Sequence, residues 1–341
     1  MRWFLTLMVF VLVSSLSTYG QIITDVSKVG TTSAQFLKIE AGARAVGMGG
    51  AFVAVNDDAT ALYWNPSGIA RLNKMEVNFV HTNWLVDISY NFVGFVVPLE
   101  DFGAIGVSLA FLGMDEQIVR TVNNPEGTGE KYDAGDVAIG LTYAKNLTDK
   151  FSIGFTAKYI QQTIWHMKSS TVAIDIGTMF TTGFNDMKIG MSISNFGSKM
   201  KLEGKDVNIV YDPDPIKYGN NDKIPAQLQT DQFDLPLIFR VGVAMDVINS
   251  ENNRLTVAID AVHPNDNTEH LNLGTEYVFD NLVFIRAGYK SLFTRDSEEG
   301  FTTGAGIEYE LFNGTSAKID FAYQSYSYFD NVLKFSVGLE F

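Results

Sequence analysis

The stretch Leu333-Lys334-Phe335-Ser336-Val337-Gly338-Leu339-Glu340-Phe341 decides the reading of this chain. Leu333, Phe335, Val337, Leu339 and Phe341 are apolar, while Lys334, Ser336, Gly338 and Glu340 between them are polar or small. Side chains alternate across a β-strand with a period of two, so one face of this segment suits hydrocarbon and the other suits water. That is the demand placed on a transmembrane β-barrel strand. A terminal aromatic at Phe341 also fits the assembly signal on which outer-membrane barrels commonly end.

Working back from this strand, the chain divides into runs of period-two character separated by Asn, Asp, Gly and Pro clusters. The fourteen runs fall near 75–82, 87–98, 103–112, 135–145, 151–162, 170–181, 187–195, 235–247, 253–262, 269–279, 282–290, 300–311, 315–326 and 331–341. Phe151, Ile153, Phe155, Ala157 and Tyr159 alternate with Ser152, Gly154, Thr156 and Lys158, and the runs around Ile259 and Ile319 repeat the pattern. Connections such as Asp280-Asn281 and Phe312 to Gly314 are short. Those at Gly113 to Ala134, Thr163 to Ser169, Phe196 to Asp234 and Ser291 to Glu299 are longer. Short periplasmic turns alternating with longer outer loops are expected of an outer-membrane barrel, and an even strand count places both termini on the periplasmic side. Tyr143, Tyr159, Tyr277, Tyr289, Tyr309 and Tyr326 lie near strand ends and suit interfacial girdles. The fold expected is all-β, a 14-stranded antiparallel transmembrane β-barrel over residues 75–341, preceded by an N-terminal plug or hatch segment over residues 21–74.

Residues 1–20 read as a signal peptide, with Arg2, an apolar stretch from Trp3 to Val13 and a small-residue site at Thr18-Tyr19-Gly20. That stretch is too short for a membrane-spanning helix, which needs about 20 residues. With 25 basic and 39 acidic residues the net charge is −14, or −15 once Arg2 is removed, so nucleic acid is not an expected partner. The chain has no cysteine, which excludes disulfides, thiol catalysis, thiolate metal sites and a lipoprotein anchor. Its 46% hydrophobic content suits a barrel whose lipid-facing and lumen-facing residues average out.

Residues 21–74 lack strand periodicity. The stretch from Gly42 to Ala51 is dense in small residues, which allow close backbone approach to a barrel wall. Asp57-Asp58 precede a short helix that an aspartate is expected to cap, and Asn65-Pro66-Ser67-Gly68 imposes a turn. Ala43-Arg44-Ala45, Gly47-Met48-Gly49, Asp57-Asp58-Ala59, Trp64-Asn65-Pro66 and Gly68 form an ordered set. With the upstream run from Thr31 to Ile39, this set resembles the N-terminal signature of the PorV/PorQ family within the broader FadL-like group of outer-membrane proteins.

The resemblance implies a fourteen-stranded barrel with an N-terminal segment lodged inside and two kinds of work. One is type IX secretion, with the translocon and cargo proteins as partners. The other is uptake of hydrophobic small molecules past a moving hatch. Outer-membrane lipid and the barrel assembly machinery are expected partners in either case. The plug signature comprises Arg44, Gly47, Met48, Gly49, Asp57, Asp58, Trp64, Asn65, Pro66 and Gly68.

Catalytic chemistry finds little purchase. His81, His166, His263 and His270 are the four histidines, with no Gly-x-Ser-x-Gly elbow and no metal-spaced histidine pair. Asp57-Asp58 offer too few carboxylates for a typical calcium loop, so no enzyme activity, metal or cofactor is expected. Instead the pair is expected to latch Arg44 through charge-assisted contacts. Inward-facing charges of both signs, among them Lys158, Asp175, Arg240, Asp260, Glu276, Arg286, Asp320 and Lys334, point to salt bridges supporting a plug rather than to a one-signed ion path. The loop from Phe196 to Asp234 exceeds what joining two strands requires. Its Tyr211, Asp212, Asp214, Tyr218 and Phe233 are the candidates for partner docking.

Overall fold

The computed structural model describes residues 28–341 except 218, 220, 295, 296, 312 and 313. The expected signal peptide and Tyr218 lie outside the described residues. Fourteen long strands form the wall. They are β1 (Glu76–Asn83), β2 (Ser89–Pro98), β3 (Ala104–Gly113), β4 (Ala134–Thr148), β5 (Phe151–Ile164), β6 (Met167–Thr181), β7 (Lys188–Gly197), β8 (Ile238–Asn249), β9 (Asn253–Pro264), β10 (His270–Phe279), β11 (Val283–Leu292), β12 (Glu299–Glu310), β13 (Ser316–Tyr326) and β14 (Val332–Glu340). Each coincides with one expected run, its bounds shifted by no more than three residues.

Every wall strand pairs antiparallel with its sequence neighbours, and β14 returns to β1 from Glu76↔Glu340 to Asn83↔Leu333. Beyond the last ladder pair, Met75 N donates to Phe341 O at 3.1 Å and Phe341 N donates to Met75 O at 3.0 Å. Closure leaves no strand edge, as a lipid-exposed sheet requires. The alternation sorts as read: Lys334 and Ser336 are buried toward the lumen, while Phe335 and Val337 are exposed on the outer face. Phe79, Leu141, Val172, Ile285 and Ile319 continue that apolar outer surface around the ring.

Three local expectations are corrected. Thr163 to Ser169 is no long loop, because β5 and β6 run on together to Ile164↔Met167 and leave only Trp165-His166 to turn, with Trp165 at φ +50°. Tyr326 belongs to no girdle. It turns inward, its ring 6.0 Å from that of Trp84 and its hydroxyl 3.4 Å from Glu299 Oε1. Asp58 does not cap the helix α1 (Ala61–Trp64), whose N-cap Thr60 makes no side-chain capping bond. The Asp58 carboxylate instead accepts from the Thr60 backbone N at 2.9 Å and from its hydroxyl, a local turn that sets up the helix start.

The strand ends meet at the short-turn side as expected, and the first described residues before β1 lie at the opposite side. Thr32 bridges Asp234, next to the long loop before β8, and Arg71 reaches Lys150 O and Thr181 Oγ1 at the short-turn end. Residues 28–72 therefore run through the ring of strands from the loop end to the turn end. A parity count of strands locates the two ends of the wall and says nothing about chain that threads its interior.

Candidate functional site

The inner segment and the wall around it form one continuous site, built of backbone seats and charges. Residues Ala41 to Ala54 and Ala59 to Ile69 are almost entirely removed from solvent. Small residues make that possible. Gly49 adopts φ +67°, and a Cβ there would collide with Leu273 O and Tyr289 N of β10 and β11. Across from it, a Cβ on the inward-facing Gly288 would collide with Gly49 N. The Gly47-Met48-Gly49 stretch is thus seated directly on bare wall backbone, which only a residue without Cβ permits.

Trp64-Asn65-Pro66 is the second seat. The Asn65 side chain is wholly buried and fully used: Nδ2 donates to Val53 O at 2.9 Å and to Thr178 O of β6 at 3.0 Å, and Oδ1 accepts from Ser67 Oγ at 2.7 Å. The turn expected at Pro66 to Gly68 is the start of a 3-10 helix, Pro66–Arg71, with proline near its N-terminus and Asn65 as its cap. Trp64 Nε1 donates to Ala41 O at 2.8 Å, and its ring packs edge-on against Phe52 and Tyr63.

Charge joins segment to wall. Arg44 donates from Nε and Nη2 to both Glu276 oxygens at 2.8 Å, and from Nη1 to Asp57 at 2.5 Å and Asp58 at 3.1 Å. Arg286 on β11 holds Glu276 from its other side at 2.6 Å and reaches Asp320 on β13 at 2.6 Å. The result is a network of two guanidiniums and four carboxylates, buried except at Asp57, in which each ion has a charge-assisted partner. Burial alone would push the Asp57 carboxyl up, but the Arg44 guanidinium outweighs it and holds the group down at about 2. Wall acceptors and donors also serve the segment's backbone. Asp260 accepts from Phe52 N and Val53 N at 2.8 and 2.9 Å, Ser336 Oγ accepts from Ala43 N at 2.7 Å, and Lys334 Nζ donates to Glu40 O at 2.6 Å.

Sequence reading anticipated Arg44 with Asp57 and Asp58, and of the inward charges it named, the structure brings Glu276, Arg286 and Asp320 together with them. It missed a second cluster at the loop end. Lys290 on β11 lies 3.0 Å from Glu40 and 2.8 Å from Glu299. There the wall bulges, with Ser291 at φ +54° and its N–H held by Asn272 Oδ1 at 2.9 Å. It also missed the clip at Asp266, a buried loop carboxylate that accepts from Thr32 Oγ1 at 2.7 Å, Gln35 Nε2 at 2.9 Å and Lys38 Nζ at 3.0 Å. The alternation Arg286, Gly288, Lys290 already carried a signal for Lys290. Nothing local marked Asp266, whose partners are more than two hundred residues away.

The docking candidates fall apart from this site. The long loop folds into a small hairpin, Asn208–Tyr211 against Ile224–Gln227, and a two-residue ladder, Met200–Lys201 against Gln232–Phe233. Val210, Tyr211 and Phe233 are exposed, and Asp212 accepts from Asp214 N at 3.0 Å. His81, His166, His263 and His270 are scattered along the wall and loops, and among the described residues no group of three or more His, Asp or Glu is arranged to hold a metal.

A closed ring of fourteen antiparallel strands with an apolar outer face, with chain from before the first strand lying inside it, defines an outer-membrane-type β-barrel. The solved structures it resembles share that fold. They include the CymD monoaromatic hydrocarbon channel (TM-score 0.56, 11% identity, 89% of this chain and 97% of that one). The Pseudomonas putida toluene transporter TodX gives a TM-score of 0.55 at 12% identity, covering 88% and 97%. A Pseudomonas aeruginosa FadL homologue gives 0.53 at 12% identity, covering 88% and 98%. No curated protein matches in sequence. Residues 23–264 match the family described as type IX secretion system protein PorV, and the chain belongs to that family.

Proposed function

We propose that this barrel resides in the bacterial outer membrane and acts, without enzymatic activity, in type IX protein secretion or surface assembly, docking translocon or cargo partners through its outer loops. The observation that carries this reading is the contrast between the two parts of the molecule. The interior is occupied by a segment tied to the wall by ion pairs and backbone seats, whereas Val210, Tyr211, Ile216 and Phe233 stand exposed on a folded loop. Exposed apolar and aromatic side chains on an ordered loop are the usual material of a protein interface. The inner segment acts here as a plug that holds the lumen shut and supports the loops from below.

The second reading is a hatch-gated channel for hydrophobic compounds. What favours it is the likeness to hydrocarbon channels and a cavity of about 490 Å³ open at the loop end.

Gentle native purification separates the two. Translocon or cargo proteins should accompany the wild-type barrel, and a variant with Asn208 to Gln227 replaced by a short Gly-Ser turn should lose them while keeping heat-modifiable mobility. Retention of every partner by that variant sinks the docking role of this loop. Bound hydrophobic compound with no accompanying secretion protein sinks the secretion reading.

A further inference from the structure

We infer that the Asn208–Tyr211 strand of the outer-loop hairpin takes up an extended segment of a partner polypeptide as an added β-strand. This rests on the loop-docking reading and specifies how the docking is made. The hairpin pairs Asn208 with Gln227, Ile209 with Ala226, Val210 with Pro225 and Tyr211 with Ile224. One position further out, Leu228 N donates to Val207 O at 2.8 Å, which marks Val207 and Leu228 as a hydrogen-bonded pair. Such pairs alternate along an antiparallel ladder. Ile209 and Tyr211 therefore turn their backbone groups into the hairpin, and Asn208 and Val210 turn theirs to its outer edge. Pro225 fits the same count, because its position facing Val210 needs no N–H.

The two edges of the hairpin are unlike. On the Ile224–Gln227 side, the outward position 225 is a proline without a donor, one of the devices that keep a sheet edge from pairing. The Asn208–Tyr211 side has no such guard, since its sequence Asn-Ile-Val-Tyr holds neither proline nor charge. Asn208 N donates to Lys205 O within the preceding turn. Val210 N–H, Val210 C=O and Asn208 C=O make no hydrogen bond with any other described residue. Ile209, Val210 and Tyr211 are all exposed.

The edge is also held in place. Glu203 and Gly204, just upstream, pair with Lys168 and Met167 of β6, and Thr230 Oγ1 of the other arm donates to Leu202 O at 2.7 Å. An edge ordered in advance loses little freedom when a strand is added. In such an addition the main chain supplies the binding and alternate side chains supply the selectivity. The occupant that suits this edge is an extended segment with an apolar, β-branched residue opposite Val210, where Val210 and Pro225 present an uncharged, exposed face.

Fluorescence anisotropy on the whole barrel in neutral detergent tests this with labelled acetyl-Thr-Val-Thr-Val-Thr-Val-amide and a twin N-methylated at every residue, which cannot donate to a neighbouring strand. The plain peptide is expected to bind at least tenfold tighter than its twin. Val210→Pro should abolish that preference, because it removes the free N–H of the edge and leaves the inward bonds of the hairpin intact. Val210→Thr should keep it. No preference on the wild-type barrel overturns the inference, as does full preference in a folded Val210→Pro barrel, and the wild-type comparison decides where that variant fails to fold. Equal loss in Val210→Thr assigns recognition to the side chain and overturns it too. So does a wild-type dimer that Val210→Pro renders monomeric, since the edge then belongs to a second copy. In native purification, partners lost on replacing Asn208 to Gln227 but kept by Val210→Pro leave loop docking standing while strand addition falls. Partners kept by both variants remove the docking role of the loop itself.

Discussion

Arg44 and Glu276 are 232 residues apart in sequence, yet both oxygens of the carboxylate accept from the guanidinium at 2.8 Å. This pair ties the inner segment to β10, and Arg286 steadies Glu276 from the wall side. Removing one partner of such a buried network typically costs about 3–5 kcal/mol, because the groups left behind remain charged. Glu276→Gln is therefore expected to raise the rate of protease cleavage within residues 28–72 by two to three orders of magnitude, with the barrel itself still heat-modifiable. Cleavage at the wild-type rate would show that the segment is held without this pair.

The contact of Gly288 with Gly49 makes a steric prediction. Gly288→Ala places a methyl where Gly49 N lies, against backbone that cannot yield without moving the whole segment. The wall strand accepts alanine readily on its own account. The expected result is a barrel of normal mobility whose segment is protease-sensitive, checked by mass spectrometry of the fragments. A resistant segment in Gly288→Ala would mean that the seat is looser than the backbone contact implies.

Acid should loosen the latch in a defined window. The Asp57 carboxyl moves from its ordinary 3.8 down to about 2, so its contribution is complete above about pH 4 and is lost as pH falls through about 2. Because the side chain is 40% exposed, solvent moderates the effect. Pepsin digestion of detergent-solubilised barrels at pH 4 and at pH 2 should show the inner segment opening at the lower value. Asp57→Asn should already be open at pH 4, and an identical profile for the two proteins would refute the assignment.

Phe341 makes the final pair of backbone bonds that close the ring, with Met75. Deleting it removes both bonds and the terminal aromatic together. Slower membrane insertion with export unimpaired is expected, read as a smaller heat-modifiable fraction after a pulse of synthesis. Unchanged kinetics would assign closure entirely to the ladder from Glu76 to Asn83.

The wall was legible because a strand between lipid and lumen writes its orientation into every second residue. Lys334 and Phe335 could be assigned to opposite faces from their neighbours alone, and the same reasoning recovered β5, β9 and β13. Where the rule failed, another force governed the backbone. Trp165-His166 turns tightly because ladder pairing continues past the expected strand end. Tyr326 obeys the alternation, sharing the inward face of Asp320 and Gln324 where Trp84 and Glu299 meet it, so it was the girdle reading and not the period that erred. At Ser291, the bulge shifts the register by which alternation is counted.

The inner segment was legible in composition but not in path. A dense run of small residues around Met48 announced close backbone packing, and Arg44 with Asp57-Asp58 announced a charge latch. Neither revealed Glu276 as the latch's anchor or Asp266 as the clip at the loop end. Strand number and strand orientation follow from the sequence by itself, because periodicity is a local property of a chain in a two-sided environment. Which wall residue meets which residue of the segment was decided only by tertiary structure. Those facts depend on distances between residues hundreds of positions apart, which come into being when the barrel closes around its own N-terminal chain.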